Sequence, residues 1–245
     1  MQYDNLTAKK KLLDGYMPLP AALIQNLDEW FRVELTYTSN ALEGNTLTRR
    51  ETAVVLEKNI TIGGKSLVEH LEVINHGHAL DFTKTLARKK LSELGVEDIL
   101  AIHQKILKGI NDDDAGRYRT VAVRIAGAHV VMPNHAKVPE LMRDFMQWLH
   151  NAHDLHPVAL AGQAHHHLVS IHPFIDGNGR TARLLMNLLL LMHGYPPAII
   201  RKRDRLAYIS ALEKGQLGGS RANYDALIAK AVSRSFDIYL DALKG

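Results

Sequence analysis

The chain has 245 residues, 46% of them hydrophobic, enough for one substantial core and at the upper end for a single domain. Its 30 basic and 26 acidic residues leave a net charge of +4 that is mixed along the chain, which is no nucleic-acid footprint. Zero cysteines exclude disulfides, thiolate nucleophiles and cysteine-based zinc sites, and no apolar stretch approaches the roughly twenty residues that span a bilayer.

The opening residues lack the charged-then-apolar pattern of an export signal, so a cytoplasmic location is expected. Asn26 with Glu29 resembles a capping box, and Trp30, Val33, Tyr37 and Ala41 recur at helical spacing, which predicts a helix over about 26–44. Ser39 and Glu43, four apart, share one face of it, and Gly44 has the character of a residue just past a helix C-terminus. Thr48 with Glu51 and Ser66 with Glu69 are capping boxes that open two further helices. Asn111 to Asp114 is a polar turn, since the ligand order of a calcium loop is missing. Over 121–132, alternating Val121, Val123 and Ile125, then Gly127 and Val130-Val131, predict a short hairpin, the one clear β signal.

Helical spacing resumes over 138–151 and over 158–171. The second of these carries His165-His166-His167, but adjacent helical positions point about 100° apart and cannot converge on one ion; a core role suits His165. A nearly unbroken apolar run, 184–192, follows, then a basic run at Arg201, Lys202, Arg203 and Arg205 that suits a solvated helix start, and helical patterns at 204–214 and 221–243. Glycine or proline marks the connections, as at Gly63-Gly64, Gly95, Pro133, Pro196-Pro197 and Gly218-Gly219.

Between the helices at 158–171 and 184–192 lies the densest chemistry: His172-Pro-Phe-Ile-Asp176-Gly-Asn-Gly-Arg180-Thr-Ala-Arg183. Pro173 disfavours continuing the first helix, while Gly177 and Gly179 let the chain turn tightly and expose backbone N–H groups at the start of the second. Those orphan donors and the positive helix end form an anion site. Arg180 and Arg183, three apart, project toward the same turn and suit several phosphates. A carboxylate beside such a site needs an intervening cation, which makes Asp176 a Mg²⁺ ligand, and His172 can accept a hydroxyl proton near neutral pH.

Position for position, this run is similar to the signature of the Fic (filamentation-induced-by-cAMP) family, His-Pro-Phe-x-Asp/Glu-Gly-Asn-Gly-Arg-x-x-Arg, a highly specific pattern. The likeness extends over roughly 35–212. It implies an all-α fold, a Fic-type helical domain with a short β-hairpin flap over the active site, occupying 1–245 as a single domain. Within it would lie an inhibitory helix at about 26–44, a flap region at 116–133, and the core helices with the motif at 157–194. The closest likeness is to the protein adenylyltransferases, which move AMP from ATP to a hydroxyl of a target protein. By that resemblance His172 is the general base and Asp176 the Mg²⁺ ligand. Gly177, Asn178 and Gly179 form the anion hole, Arg180 and Arg183 hold the ATP phosphates, and Thr181 and Ala182 belong to the same phosphate-binding turn.

Ser39-Asn-Ala-Leu-Glu43-Gly44 resembles the family's inhibitory motif, whose glutamate pairs with the second motif arginine and blocks productive γ-phosphate placement. An equivalent of the flap lies over the nucleotide in the family and pairs with the target as an added strand, so Ile125, Ala126, Gly127 and Ala128 are implied flap contacts. Tyr208 lies where the family often carries a nucleotide-contacting tyrosine. The chain then departs from the family: where relatives often place Asn and then Gly-Asp, it reads Lys214-Gly-Gln216-Leu-Gly-Gly219, and Gln216 is left to offer an amide to the ribose. The resemblance implies ATP as substrate with Mg²⁺, a target protein docked on the flap, auto-adenylylation, and room for a homodimer, with neither nucleic acid nor membrane as partner. Alternatives are de-adenylylation by the same site, another Fic-type phosphate or nucleotide transfer, and a catalytically silent nucleotide-binding regulator.

Overall fold

The computed structural model describes residues 3–244 and, among them, ten α-helices and no strand. In chain order these are α1 (Asp4–Asp14), α2 (Ala21–Leu42), α3 (Arg49–Lys58), α4 (Leu67–Leu86), α5 (Val96–Leu107), α6 (Val138–Asn151), α7 (Pro157–Ile171), α8 (Asn178–Met192), α9 (Arg205–Gln216) and α10 (Ala222–Ala242). Both capping boxes form. Glu51 and Glu69 donate their N–H groups to the hydroxyls of Thr48 and Ser66 at 3.3 and 3.2 Å, and their carboxylates accept from the N-cap N–H groups at 2.7 and 2.9 Å.

The apolar run after the motif becomes α8, in which Leu185, Leu188, Leu189 and Leu190 are wholly buried. A helix apolar on every side has to be surrounded, and α7, α4 and α5 pack around it. Outside this centre, α2 lies against α4 and reaches α8, while α10 packs on α7, α9 and α1. The end of α7 and the start of α8 are thereby held where α2 and α9 also meet. No helix among the described residues is long and apolar enough to cross a membrane.

Two expectations need correction. First, α2 starts at Ala21, after Pro20, rather than at Asn26. Glu29 does not reach back to cap Asn26; its carboxylate accepts from the Gln25 amide at 3.0 Å, inside the helix. Second, 116–133 forms no hairpin. Alternation stabilises a strand when one face is buried, but Val121, Ile125 and Val131 are all exposed. The segment's one internal turn bond runs from Ala128 N–H to Ile125 C=O at 3.1 Å, beside Gly127 at φ 78°. The Arg119 side chain bonds to carbonyls at both ends of the stretch, Val121 at 3.0 Å and Pro133 at 2.6 Å, and the His129 N–H goes to Glu213 Oε1 of α9 at 2.7 Å.

Candidate active site

His172 terminates α7 in a left-handed conformation, φ 52° and ψ 60°, a region that costs a β-carbon residue of order 1–3 kcal/mol and persists only where neighbours hold it. Pro173 and the buried Phe174 follow, and the Asn178 side chain clamps the loop, accepting from Phe174 N–H at 3.0 Å and donating to Phe174 C=O at 2.9 Å. Gly177 caps α8 at φ 75°, and a Cβ there would press on the His103 ring at 3.2 Å, so conformation and space both select glycine. Asp176 carries an exposed carboxylate, 65% open, which accepts from Gly177 N–H at 2.6 Å and from Arg180 Nη2 at 3.0 Å.

The two motif arginines diverge. Arg180 is buried and turned to α4, where Nη1 meets Glu72 Oε1 at 2.9 Å. Arg183 faces α2: its Nε donates to Ser39 Oγ and Nη2 to Ser39 C=O, each at 3.0 Å, and Nη2 pairs with Glu43 Oε1 at 2.6 Å. Burial would lower the Arg183 pKa, but the Glu43 carboxylate beside it leaves it raised. Glu43 caps α2, and Gly44 follows at φ 105°. The Glu43 carboxylate lies over the first turn of α8, so that a Cβ on Gly179 would collide with Glu43 Oε1 and lie 3.0 Å from Arg183 Nη1. An anion-attracting helix end thus already holds a carboxylate.

A cavity of about 490 Å³ opens beside this turn. His172, Asp176, Gly177, Asn178, Gly179, Arg183 and Glu43 line its floor; Ile125, Ala126, Gly127 and Ala128 form one wall, and Tyr208 and Gln216 of α9 stand on the other. The sequence-predicted residues are brought together with a few exceptions. Arg180, Thr181 and Ala182 are buried behind the loop, Thr181 donating its hydroxyl to Gly177 C=O at 2.9 Å, and Ser39 and Gly44 do not border the cavity. Tyr208 borders the cavity but is itself buried, with its hydroxyl 2.8 Å from His165 Nε2. Tyr224, which donates to Gly162 C=O at 2.9 Å, holds the other nitrogen of His165 at 2.8 Å. His165 is therefore a core residue, hydrogen-bonded on both sides. Gln216 reaches back to Val169 C=O at 3.3 Å.

Burial pushes the His172 pKa below its ordinary value; Arg119 nearby adds to this, while Glu43 and Asp176 oppose it. A ring held neutral can accept a proton.

A model of the Fic/DOC family matches residues 93–190. The chain is similar to solved Fic-1 from C. elegans, with 33% identity and a TM-score of 0.89 over 99% of this chain and 73% of that one. The chain belongs to the Fic/DOC family. A Fic-domain-containing signaling protein from Bacteroides thetaiotaomicron is similar over 100% of this chain and 98% of its own, with 28% identity and a TM-score of 0.88. Curated Fic relatives include the protein adenylyltransferases Fic of Nematostella vectensis, 38% identical over 83% of this chain, and of Drosophila grimshawi, 39% identical over 96% of it. The chain spans 48% of the length of each.

Four residues that motif spacing did not single out shape this Fic site. His103 of α5 accepts from Gly116 N–H on Nδ1 at 3.0 Å, which leaves Nε2–H to donate to Asp176 C=O at 2.9 Å, and its ring stacks on Phe174 at 3.6 Å. Glu72 pairs with Arg180 and accepts from Asn45 Nδ2 at 2.8 Å, tying α4 to the turn after α2. Glu213 holds the cavity wall at His129, and Arg119 bonds to the motif backbone. Three of the four contacts are to main-chain groups, which no spacing of residue types signals.

Proposed function

We propose that this Fic chain is a Mg²⁺-dependent protein adenylyltransferase that transfers AMP from ATP to a Ser, Thr or Tyr hydroxyl of a target protein and is restrained by Glu43. The observation that carries the reading is the convergence, on one cavity, of a half-buried histidine whose surroundings favour its neutral form, a helix N-terminus and a carboxylate, in a family whose curated relatives are named adenylyltransferases. His172 takes the hydroxyl proton as the target oxygen attacks the α-phosphorus; the bond from that phosphorus to the bridging oxygen breaks, and pyrophosphate leaves. The N–H groups around Gly177 to Gly179 and the Arg183 guanidinium stabilise the charge that develops on phosphate oxygens.

No cluster of three or more metal-ligating side chains exists among the described residues. A Mg²⁺ that arrives with the nucleotide commonly keeps waters and takes one or two carboxylates plus phosphate oxygens. The exposed Asp176 carboxylate would hold it. Bound there, the ion would neutralise phosphate charge. The target docks on the irregular wall 121–133, whose exposed Val121, Ile125 and Val131 offer apolar contacts.

ATP labelled at the α-phosphate, compared with ATP labelled at the γ-phosphate, tests the reaction class when incubated with Glu43→Gly protein. Covalent label from the α-phosphate alone is expected; label from the γ-phosphate would establish phosphoryl transfer instead. Glu43 also lies in the cavity that holds His172, an arrangement that supports a second reading in which it orients water to remove AMP from a modified protein. Release of AMP from an adenylylated target by the unmutated chain, lost in Glu43→Gly, would identify that activity.

A further inference from the structure

Arg119 is 3% exposed, and burial lowers its pKa with no carboxylate to offset it. Burying a charge in this way is costly unless its donors are satisfied, and each guanidinium nitrogen meets a carbonyl. Nε donates to His172 C=O at 2.8 Å, Nη1 to Val121 C=O at 3.0 Å and Nη2 to Pro133 C=O at 2.6 Å. The Arg119 backbone N–H adds a bond to Pro173 C=O at 2.9 Å. Residue 119 thus holds two successive carbonyls of the motif, those of residues 172 and 173, at the place where His172 is left-handed. Val121 and Pro133 are the two ends of the segment whose middle, Ile125 to Ala128, forms the cavity wall. Without a strand ladder in that segment, this planar fork is what ties both of its ends to the base.

The geometry points to Arg119 as a positioning residue that sets the backbone of His172 and the closure of the 121–133 wall together, so that the base and the bound nucleotide share one reference point. This rests on the reading of His172 as the general base. Lysine cannot reproduce the role, because a single ammonium does not span three carbonyls in the plane of a guanidinium.

The charged groups facing the His172 ring are Arg119 from the segment after α5, Glu43 from the end of α2 and Asp176 from the motif loop. Arg119 favours the neutral ring, so removing its charge raises the His172 pKa and moves the acid limb of the pH–rate profile to higher pH. The test takes Arg119→Lys, Arg119→Met and His172→Ala in the Glu43→Gly background, with kcat and KM for ATP measured across pH. Both Arg119 variants are expected to lose about 10 to 100-fold in kcat, as for a misplaced base, with a rise in KM for ATP as the 121–133 wall loosens. The acid limb should shift in Arg119→Met and stay in place in Arg119→Lys. Folded variants with the parent kcat, whatever their KM for ATP, or an unmoved acid limb in Arg119→Met would each overturn the proposal. A fully active His172→Ala would instead refute the base assignment, whatever Arg119 does. If neither Arg119 variant folds, the Hε proton of Arg119 in the otherwise unmutated Glu43→Gly protein decides by NMR: slow exchange and a shift on ATP binding in step with the His172 ring support the role, and rapid exchange overturns it.

Discussion

His172 and Asp176 sit four residues apart on one loop, and the proposed reaction gives them different tasks. The ring of His172 is largely buried and its pKa lies below the ordinary histidine value of about 6.5, so activity should fall only as pH drops below that value, when the base takes up a proton. His172→Ala should lower transfer by about 10² to 10⁴-fold with ATP affinity nearly unchanged, because its role is confined to the transition state. Calorimetric ATP titration beside the rate measurement checks this, and an equal loss in both would contradict it. Asp176→Ala should weaken Mg·ATP far more than free ATP, which the same titration with and without Mg²⁺ measures. That His172, Asp176 and the turn from Gly177 to Gly179 border one cavity was legible in the sequence because all lie within one short stretch. The direction of Arg180 was not. Its partner Glu72 is 108 positions away, and helical spacing says which face a side chain leaves from but not which carboxylate waits for it.

At the scale of elements, the helices were readable wherever start signals or continuous apolar periodicity existed: α6 spans the expected 138–151, and α3 and α4 open on the Thr48 and Ser66 boxes. The start of α2 was misplaced because a capping-box pattern also occurs inside a helix, where Glu29 pairs with Gln25. The 121–133 segment failed as a hairpin for a related reason: alternation reports a pleated, half-buried face, and here Val121 and Ile125 on either side of Val123 are exposed. Its shape comes from Arg119 at both ends and Glu213 near the tip. Glu213→Ala removes the acceptor of the His129 N–H and should speed amide exchange across 125–131 while leaving α7 and α8 protected. Unchanged exchange would show that the contact does not hold the wall.

Across the whole molecule, the site is a junction at which α2, α4, α5 and α9 converge on the α7–α8 corner, and buried neutral histidines stabilise that junction. Burial lowers His103 to about 4 and His76 to about 3. Each folded-state pKa lies below the unfolded value near 6.5, so the unfolded chain binds the extra protons between those limits and stability falls as pH drops from about 6.5 toward 4. His103 alone contributes on the order of 3 kcal/mol to that loss, and His103→Gln should flatten the dependence of Tm on pH in this window.

The same convergence brings Glu43 across 140 positions of chain to Arg183, and the central claim is that this ion pair occupies the place of the nucleotide phosphates. Removing the carboxylate frees the guanidinium for phosphate and clears like charge from the start of α8. The most direct measurement is auto-adenylylation of Glu43→Gly, Arg183→Ala and the double variant under one ATP concentration. Coupling of about 1 to 3 kcal/mol corresponds to roughly 5 to 150-fold, so Glu43→Gly should rise by at least that order, while Arg183→Ala and the double variant should behave alike and stay low because both lack the phosphate ligand. A folded Glu43→Gly protein with an unchanged rate would contradict the account and leave Glu43 an ordinary carboxylate at a helix end.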